Sequence, residues 1–208
     1  MINIFSFLIF AICLIIAITI HEFSHALVAD RLGDPTPRSQ GRLSLNPLRH
    51  LDLVGTLMLF LVHFGWGKPV PIDPYNLKKP KRDEILISFA GPASNLILAT
   101  LLAIIIHFIP SNPFVVIFFS NLIQLNIILA IFNLIPIPPL DGSKILFNLL
   151  PSESSAKWEE ALNRYGFILL IILVFLPITP NGKPILNSII SPIINLIFNL
   201  LLPGFSSI

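Results

Sequence analysis

Long apolar stretches separated by short polar segments dominate this chain, and their lengths predict membrane-spanning helices. Three of them run from about Ile4 to Ala29, from Glu84 to Ile109 and from Phe114 to Ile135. Each reaches the roughly 20 residues that a helix needs to cross a bilayer. Two further apolar helices are predicted at Tyr165–Leu176 and Pro184–Leu202. The pattern therefore predicts an all-α polytopic membrane bundle with about five long spans.

The segment from Thr36 to Arg82, between the first two spans, has a different character. It is rich in proline and glycine, which favour turns and short strands, so we predict a small membrane-associated β region here. Its run Leu57–Phe64 is too apolar for open water but too short to cross the bilayer as a helix. We therefore predict a short re-entrant or interfacial element within this segment.

Composition agrees with a membrane protein. Hydrophobic residues make up 54% of the 208 residues and charged residues only 12%, proportions outside those of ordinary soluble domains. The length fits a single domain, 1–208, which we divide into a core at about 1–145, where the chemistry is expected, and packing helices at about 155–202. The N-terminus lacks the basic region and cleavage site of a signal peptide, so its span is expected to be retained. The sequence has no nucleic-acid-binding motif, and no nucleic-acid partner is expected.

The distribution of lysine and arginine predicts the orientation of the spans. Nine of the 13 basic residues lie in residues 30–84 and three in residues 143–164. Because cytoplasmic loops are enriched in these residues, both loops are predicted to face the cytoplasm and the N-terminus to face outside. The helical hairpin from Glu84 to Ile135 then crosses the membrane from the cytoplasmic side and returns to it. This requires that the apolar run Leu57–Phe64 does not itself cross the membrane.

HEFSH, residues 21–25, is the part of the first span that indicates chemistry. His21, Glu22 and His25 are the only histidine or charged side chains in this span. Such groups cost about 2.5 kcal/mol or more at the bilayer centre and are usually functional there. Residues four apart share one face of a helix, so the two histidines can bind one metal ion. Glu22 cannot bind that ion in this geometry but can act as a general base, which is the pattern of zinc-dependent proteases.

A catalytic zinc site takes three protein ligands and keeps one position open, so a third ligand is required. Asp141 is the best choice, because it lies on the proline-rich elbow NLIPIPPLDG, on the same predicted side as His25. Ser143 is predicted to cap the short helix that follows. Of the alternatives, the acidic ones neighbour basic residues in loops, and His107 lies at the far end of its helix. The full set of alternatives is His50, Asp52, His63, Asp83, Glu84 and His107.

Three motifs in order resemble the site-2 protease family of intramembrane zinc metalloproteases. They are HEFSH, then GPASN at residues 91–95, then NLIPIPPLDG at residues 133–142. The stretch GWGKPVP, residues 65–71, is similar to the membrane-associated strand region of the compact prokaryotic members. The sequence contains neither the PDZ insertions nor the CBS extension of other members.

The resemblance implies an enzyme of a prokaryotic cell membrane that cleaves a transmembrane protein substrate by intramembrane proteolysis. It also implies one zinc ion per chain, held by His21, His25 and Asp141, with Glu22 as the general base. The site is expected to face the cytoplasmic side of the bilayer. Two other functions stay open, namely a membrane-bound zinc protease that cuts non-membrane segments and a non-enzymatic metal transporter.

The expected handling of substrate concerns its backbone. A substrate helix has to unwind before cleavage, and Asn95 or Asn133 is expected to hold the unwound chain. An exposed strand edge within residues 41–72 is predicted to bind it by β-augmentation. Within that segment the stretches Leu43–Leu45 and Val54–Leu59 are the predicted edge.

Overall fold

The computed structural model describes residues 4–62, 65–108, 112–177, 182 and 184–203. Within these ranges the chain forms α-helices joined by turns and coil. In chain order they are α1 (Ile4–Leu32), α2 (Thr36–Ser39), α3 (Leu53–Val62), α4 (Pro80–Ile106), α5 (Pro113–Asn133), α6 (Asp141–Leu149), α7 (Ser152–Phe175) and α8 (Ile185–Leu201).

Three of the described helices, α1, α4 and α5, have the length and apolar composition to cross a membrane. They confirm the predicted helical membrane fold for its first three spans, but not the further spans of the five predicted. The apolar helix predicted at Tyr165–Leu176 forms the second half of α7, which begins earlier, at Ser152. The polar stretch before Tyr165 continues the same helix, because exposed polar side chains do not interrupt a helical backbone. The last helix, α8, has 17 residues.

The described residues do not contain the predicted β region. Between α2 and α4 they form α3, two short 3₁₀ turns and coil, and one antiparallel bridge pairs Leu51 with Gly67. The apolar run expected to be re-entrant falls mainly in α3, whereas His63 and Phe64 lie outside the described residues. The ten residues of α3 span about 15 Å, half of the roughly 30 Å hydrocarbon core. As predicted, this run is too short to cross the bilayer as a helix.

Local sequence signals place the ends of the long helices. After α1, Gly33 has a φ of 111°, the left-handed conformation in which glycine commonly ends a helix. Pro80 and Pro113 occupy the first positions of α4 and α5, where the missing N–H of proline has no helical partner to lose. Asn112 caps α5, because its side chain accepts a 3.0 Å hydrogen bond from the N–H of Phe114.

The start of α6 differs from the prediction. Ser143 was expected to cap this helix, but the helix begins at Asp141 with Leu140 as its N-cap. The Ser143 hydroxyl donates to the carbonyl of Leu140 at 2.7 Å and therefore does not accept from the first turn. Asp141 thus lies inside the first turn, with its carboxylate directed at α1 and not at its own backbone.

α4 lies at the centre of the bundle and packs against α1, α5, α6 and α8. A shared apolar core connects α1, α4, α5 and α8. On α1 the residues that face the bundle are small, since Ala17, Ala26 and Ala29 are fully buried. Small side chains allow two helices to approach closely, and here they bring the middle of α1 against α4.

A buried carboxylate fastens the end of α1 to the turn that precedes α4. Asp34 accepts hydrogen bonds from the backbone N–H groups of Thr36 (3.0 Å) and Asp73 (2.8 Å), and from the side chain of Asn76 (3.0 Å). Burial of this carboxylate raises its pKa, but the hydrogen bonds outweigh that effect, and the net pKa lies below its usual value. The contact fixes where α1 ends relative to the start of α4.

Candidate active site

Two histidines of α1 meet at one buried point. His21 and His25 are four residues apart and only 5% and 6% exposed. Their Nε2 atoms lie 3.1 Å apart, and the two rings stand nearly perpendicular, at 86°. This is the arrangement expected of side chains one helical turn apart on a single face.

The first residue of α6 completes the cluster. Oδ2 of Asp141 lies 3.0 Å from Nε2 of His21 and 3.2 Å from Nε2 of His25. The neighbouring Gly142 lies against the end of α5, where a Cβ would come within 2.3 Å of the carbonyl oxygen of Leu134. Only a residue without a side chain fits here, so this glycine permits the tight elbow that brings Asp141 to α1.

The outer nitrogens of both imidazoles are hydrogen-bonded to oxygen atoms. Nδ1 of His25 lies 2.7 Å from the carbonyl oxygen of Ile87, and Nδ1 of His21 lies 2.7 Å from Oδ1 of Asn95. These oxygens only accept hydrogen bonds, so each Nδ1 carries the proton. In the neutral rings both Nε2 atoms therefore present lone pairs to each other and to the Asp141 carboxylate.

Lone pairs and a negative charge that converge in this way favour a cation between them. The candidate ligand atoms of His21, His25 and Asp141 all lie within 4.8 Å of one another. Two imidazole nitrogens and a carboxylate oxygen are ligands typical of catalytic zinc sites. The hydrogen bonds at Nδ1 are the outer contacts that orient such ligands. The three residues thus fit a zinc ion.

Glu22 lies beside the cluster, on the wall of a cavity of about 530 Å³. His21, His25 and Asp141 line the same cavity. Oε2 of Glu22 lies 3.9 Å from Nη2 of the buried Arg42. The Glu22 carboxylate therefore borders the same cavity as His21, His25 and Asp141 without belonging to their cluster.

The sequence pattern of peptidase family M50 matches residues 9–115 and 109–173, most of the chain. The chain belongs to peptidase family M50. This membership confirms the predicted resemblance, since M50 is the site-2 protease family.

The relatives of this M50 protein carry names that agree. YwhC of Bacillus subtilis, named as a candidate zinc metalloprotease, is 42% identical over 190 residues, which are 85% of each chain. Rip2 of Mycobacterium tuberculosis strain H37Rv, named likewise, is 33% identical over 176 residues, 81% of this chain and 66% of Rip2. MJ0392 of Methanocaldococcus jannaschii, named a zinc metalloprotease, is 27% identical over 166 residues, 79% of this chain and 41% of MJ0392. No solved structure matches the chain. Family and names together identify a zinc metallopeptidase.

Gly91, in the GPASN motif of this M50 peptidase, lies directly against both imidazoles. A Cβ at this position would come within 2.5 Å of Nε2 of His25 and 2.7 Å of Nε2 of His21. Such distances are well inside van der Waals contact. α4 therefore approaches the two Nε2 atoms more closely than any residue with a side chain would allow.

Asn95 of the same motif is oriented by two contacts of its own. Its Nδ2 donates to the carbonyl oxygen of Ala17 (3.0 Å) and to Oδ1 of Asn126 (2.8 Å). The Ala17 carbonyl can only accept, so the amide oxygen of Asn95 has to face His21. Asn95 and Asn126 are both fully buried. The expected contact of Asn95 with substrate stays a prediction, while its visible contacts all lie within the protein.

Asn133, the other residue expected to hold substrate, is the last residue of α5 and lines the cavity with Asp141. Its Nδ2 donates to the carbonyl oxygen of Leu129 at 2.9 Å. The residue stands at the cavity wall, and its predicted role stays a prediction.

Each described alternative to Asp141 as third ligand has a partner elsewhere. The contacts are His50 Nε2 with the Ser44 carbonyl, Asp52 Oδ1 with the Gly55 N–H, Asp83 Oδ2 with the Lys79 N–H, Glu84 Oε2 with Asn148 Nδ2, and His107 Nδ1 with the Ala103 carbonyl. The remaining alternative, His63, lies outside the described residues.

Two buried polar residues near the site were not assigned to it from the sequence. Asn126 is an amide on the uncharged predicted span Phe114–Ile135, and the sequence assigned it no role in the site. Arg42 counted only as one positive charge of a loop. The role of each residue becomes apparent only from its contacts with residues that are distant in the chain. Such contacts cannot be identified from a single sequence.

Replacing Asn95 by alanine is expected to lower zinc affinity about 10- to 100-fold, the range typical of losing an outer contact to a metal ligand. Without the amide oxygen the His21 ring loses the bond that fixes its proton on Nδ1 and its lone pair on Nε2. Competition of the purified variant with a chromophoric chelator measures the affinity.

Asn121→Ala is the matched control, because among the described residues the Nδ2 of Asn121 donates only to the carbonyl of Ile117 in its own helix. This variant is expected to bind zinc like the parent. If Asn95→Ala keeps the parental zinc affinity but cleaves slowly, the residue contacts substrate and does not position His21.

Proposed function

We propose that the protein is an intramembrane zinc metalloprotease that hydrolyses peptide bonds of transmembrane protein substrates within or near the bilayer. The observation that carries this proposal is the buried cluster of His21, His25 and Asp141. Its two histidines, with Glu22 beside them, lie on α1, a helix long enough to cross the membrane. His25 lies seven residues before the end of α1, about 10 Å along the axis. The chemistry would therefore take place inside the span, near one of its ends.

The protein's residues have separate roles in this proposal. His21, His25 and Asp141 would hold the zinc ion, which supplies polarisation of the scissile carbonyl and a lowered pKa of the attacking water. Glu22 takes a proton from that water and passes it to the leaving amine. Asn95 and the carbonyl of Ile87 keep the two imidazoles in the required tautomer.

The cavity is suited to an extended chain. Apolar residues form most of its wall, many of them on α1, α5, α7 and α8, which matches a substrate segment taken from the bilayer. The predicted strand edge needs correction, because Val54–Leu59 lies in helix α3. The segment from Gly65 to Val70 borders the cavity instead. An unwound substrate placed along this segment, and held by Asn133, would present its backbone to Glu22.

The orientation of the protein is part of the proposal. We propose that the end of α1 that carries the histidines lies on the cytoplasmic side of a prokaryotic cell membrane, which the basic residues of the loops support. The proximity of Asp141 to His25 supports this arrangement, since it requires the two helix ends to lie on one side.

The proposal is tested with purified protein reconstituted into liposomes. A single-span substrate is offered in the membrane, and the same sequence without its span is offered in solution. Cleavage of the spanning substrate is expected, together with loss of cleavage on chelation and its recovery when zinc is added back.

Each other outcome identifies a competing function. Cleavage confined to the soluble substrate would indicate a membrane-bound protease for non-membrane segments. Zinc uptake into the liposomes without cleavage of either substrate would indicate a metal transporter. Either result would overturn the proposed intramembrane activity.

A further inference from the structure

A buried arginine connects two distant parts of the loop region beside the cavity. Arg42 follows α2 and is only 4% exposed. Its Nη1 donates to the carbonyl oxygen of Pro69 at 2.8 Å, and its Nη2 donates to the carbonyl oxygen of Lys68. The planar guanidinium suits this task, because its donors have a fixed fork geometry that a lysine ammonium does not have.

His50 makes a second contact with the short segment that contains Lys68 and Pro69. Its Nε2 donates to the carbonyl of Ser44 at 2.6 Å, so in the neutral ring Nδ1 is an acceptor, and it faces Nη2 of Arg42 at 3.5 Å. The backbone carbonyl of His50 accepts from the N–H of Lys68 at 2.7 Å. The N–H and the C=O of Lys68 are thus both held by the stretch that begins at Arg42.

The segment held in this way lies against the catalytic carboxylate. Gly67 lines the cavity with Glu22, and a Cβ at Gly67 would lie 3.6 Å from Oε1 of Glu22 and 2.7 Å from Cγ2 of Ile18. The position of Lys68 and Pro69 therefore determines the space between Gly67 and Glu22. A displacement of the segment would change that space directly.

The remaining features of Arg42 are unusual for a residue that only fills a loop. Its Nε is buried and has no hydrogen-bond partner among the described residues, which carries an energetic cost. Its Nη2 is 3.9 Å from Oε2 of Glu22. A buried cation with an unsatisfied donor, placed between the segment and the carboxylate, indicates a role in the site.

We propose that Arg42 is a positioning residue for peptide cleavage. By holding the carbonyls of Lys68 and Pro69, it fixes the segment Gly65–Val70 at the distance from Glu22 that an extended substrate backbone requires. This inference rests on the proposed function, because it concerns how the substrate of that reaction is placed.

Arg42→Lys keeps the positive charge but lacks the planar fork whose two nitrogens hold the two carbonyls, and Arg42→Gln keeps a donor without the charge. Arg38→Lys is the matched control, because Arg38 lies four residues earlier, is 65% exposed in its side chain and pairs with Asp30. It makes no described contact with the held segment. Each variant is examined for zinc content, thermal unfolding, kcat and KM with the single-span substrate.

For Arg42→Lys we expect kcat/KM to fall about 100-fold, the loss typical of a misplacement of about 1 Å. The fall is expected to include a rise in KM, with zinc content and unfolding temperature close to those of the parent. Arg42→Gln is expected to show the same rise in KM. Arg38→Lys is expected to match the parent in every measurement.

A second measurement separates this inference from the proposed function. Binding of the single-span substrate is measured in the Glu22→Gln background, where cleavage does not interfere. Adding Arg42→Lys is expected to weaken binding about 10-fold, by the same loss of placement. If the parent neither binds nor cleaves the spanning substrate, the proposed function fails.

If the parent cleaves and Arg42→Lys matches it in KM and in binding, the role of Arg42 is wrong while the proposed function stands. Loss of zinc or of the folded state in both Arg42 variants would assign the residue a structural role and also overturn the inference. A purely structural role lowers the folded fraction, and thus the apparent kcat, while KM and binding stay unchanged.

Discussion

Replacing Glu22 by glutamine is expected to leave zinc bound and to lower peptide cleavage about 10²- to 10⁴-fold, the usual contribution of a general base. Glutamine has nearly the shape of glutamate but cannot accept the proton of the attacking water. Glu22 borders the cavity and is not one of the three clustered ligands, so its loss removes no metal contact. Zinc content by elemental analysis and single-turnover cleavage of a spanning substrate measure the two effects.

Glu159→Gln is a matched control, since Glu159 is exposed on α7. It is expected to cleave at the parental rate. Substantial turnover by zinc-loaded Glu22→Gln would exclude Glu22 as the base. Loss of zinc from that variant would instead mean that its carboxylate takes part in holding the metal.

The clustering of His21, His25 and Asp141 could be predicted because local rules govern most of it. The spacing of His21 and His25 fixes their common face through the pitch of the helix alone. Asp141 could be singled out because ionisable residues are costly in apolar surroundings and because the distribution of basic residues set its side of the membrane. The structure brings this carboxylate to 3.0 Å from His21.

The contacts that support the cluster could not be predicted in this way. Asn95 faces His21 only because Ala17 and Asn126, from two other helices, take up its amide hydrogens. Arg42 donates hydrogen bonds to the carbonyls of Lys68 and Pro69, which lie 26 and 27 residues later in the chain. Such partners depend on how helices and loops pack against one another, and the packing cannot be read from a single sequence.

The loop region shows the limit of hydrophobic pattern for the fold. A short apolar run bounded by glycine and proline is compatible with a buried strand or a buried helix, and periodicity does not separate the two. In the structure the run at Leu53–Val62 is a helix. Gly65–Val70, which does border the cavity, lies just after this helix and outside the two stretches predicted as the strand edge.

Replacing Gly91 by alanine is expected to lower zinc affinity at least 10-fold and to lower cleavage with it. The added methyl carbon would lie 2.5 Å from Nε2 of His25 and 2.6 Å from Cε1 of His21. Neither ring can simply turn away, because the carbonyl of Ile87 and the amide of Asn95 hold the opposite nitrogens. Overpacking of this kind costs about 1–3 kcal/mol, and here the strain would fall on the bonds that aim both lone pairs at the metal.

Ala103→Val is the control for crowding in general. Ala103 is buried in the apolar core on the same helix, twelve residues beyond Gly91 and hence about 18 Å along its axis. The larger side chain is expected to lower the unfolding temperature without changing zinc affinity, whereas Gly91→Ala is expected to change zinc affinity more than stability. Chelator competition and thermal unfolding of the two variants provide the comparison. If Gly91→Ala binds zinc as tightly as the parent, the space between α4 and the two imidazoles can accommodate a methyl group. The close approach of α4 would then not be what orients His21 and His25.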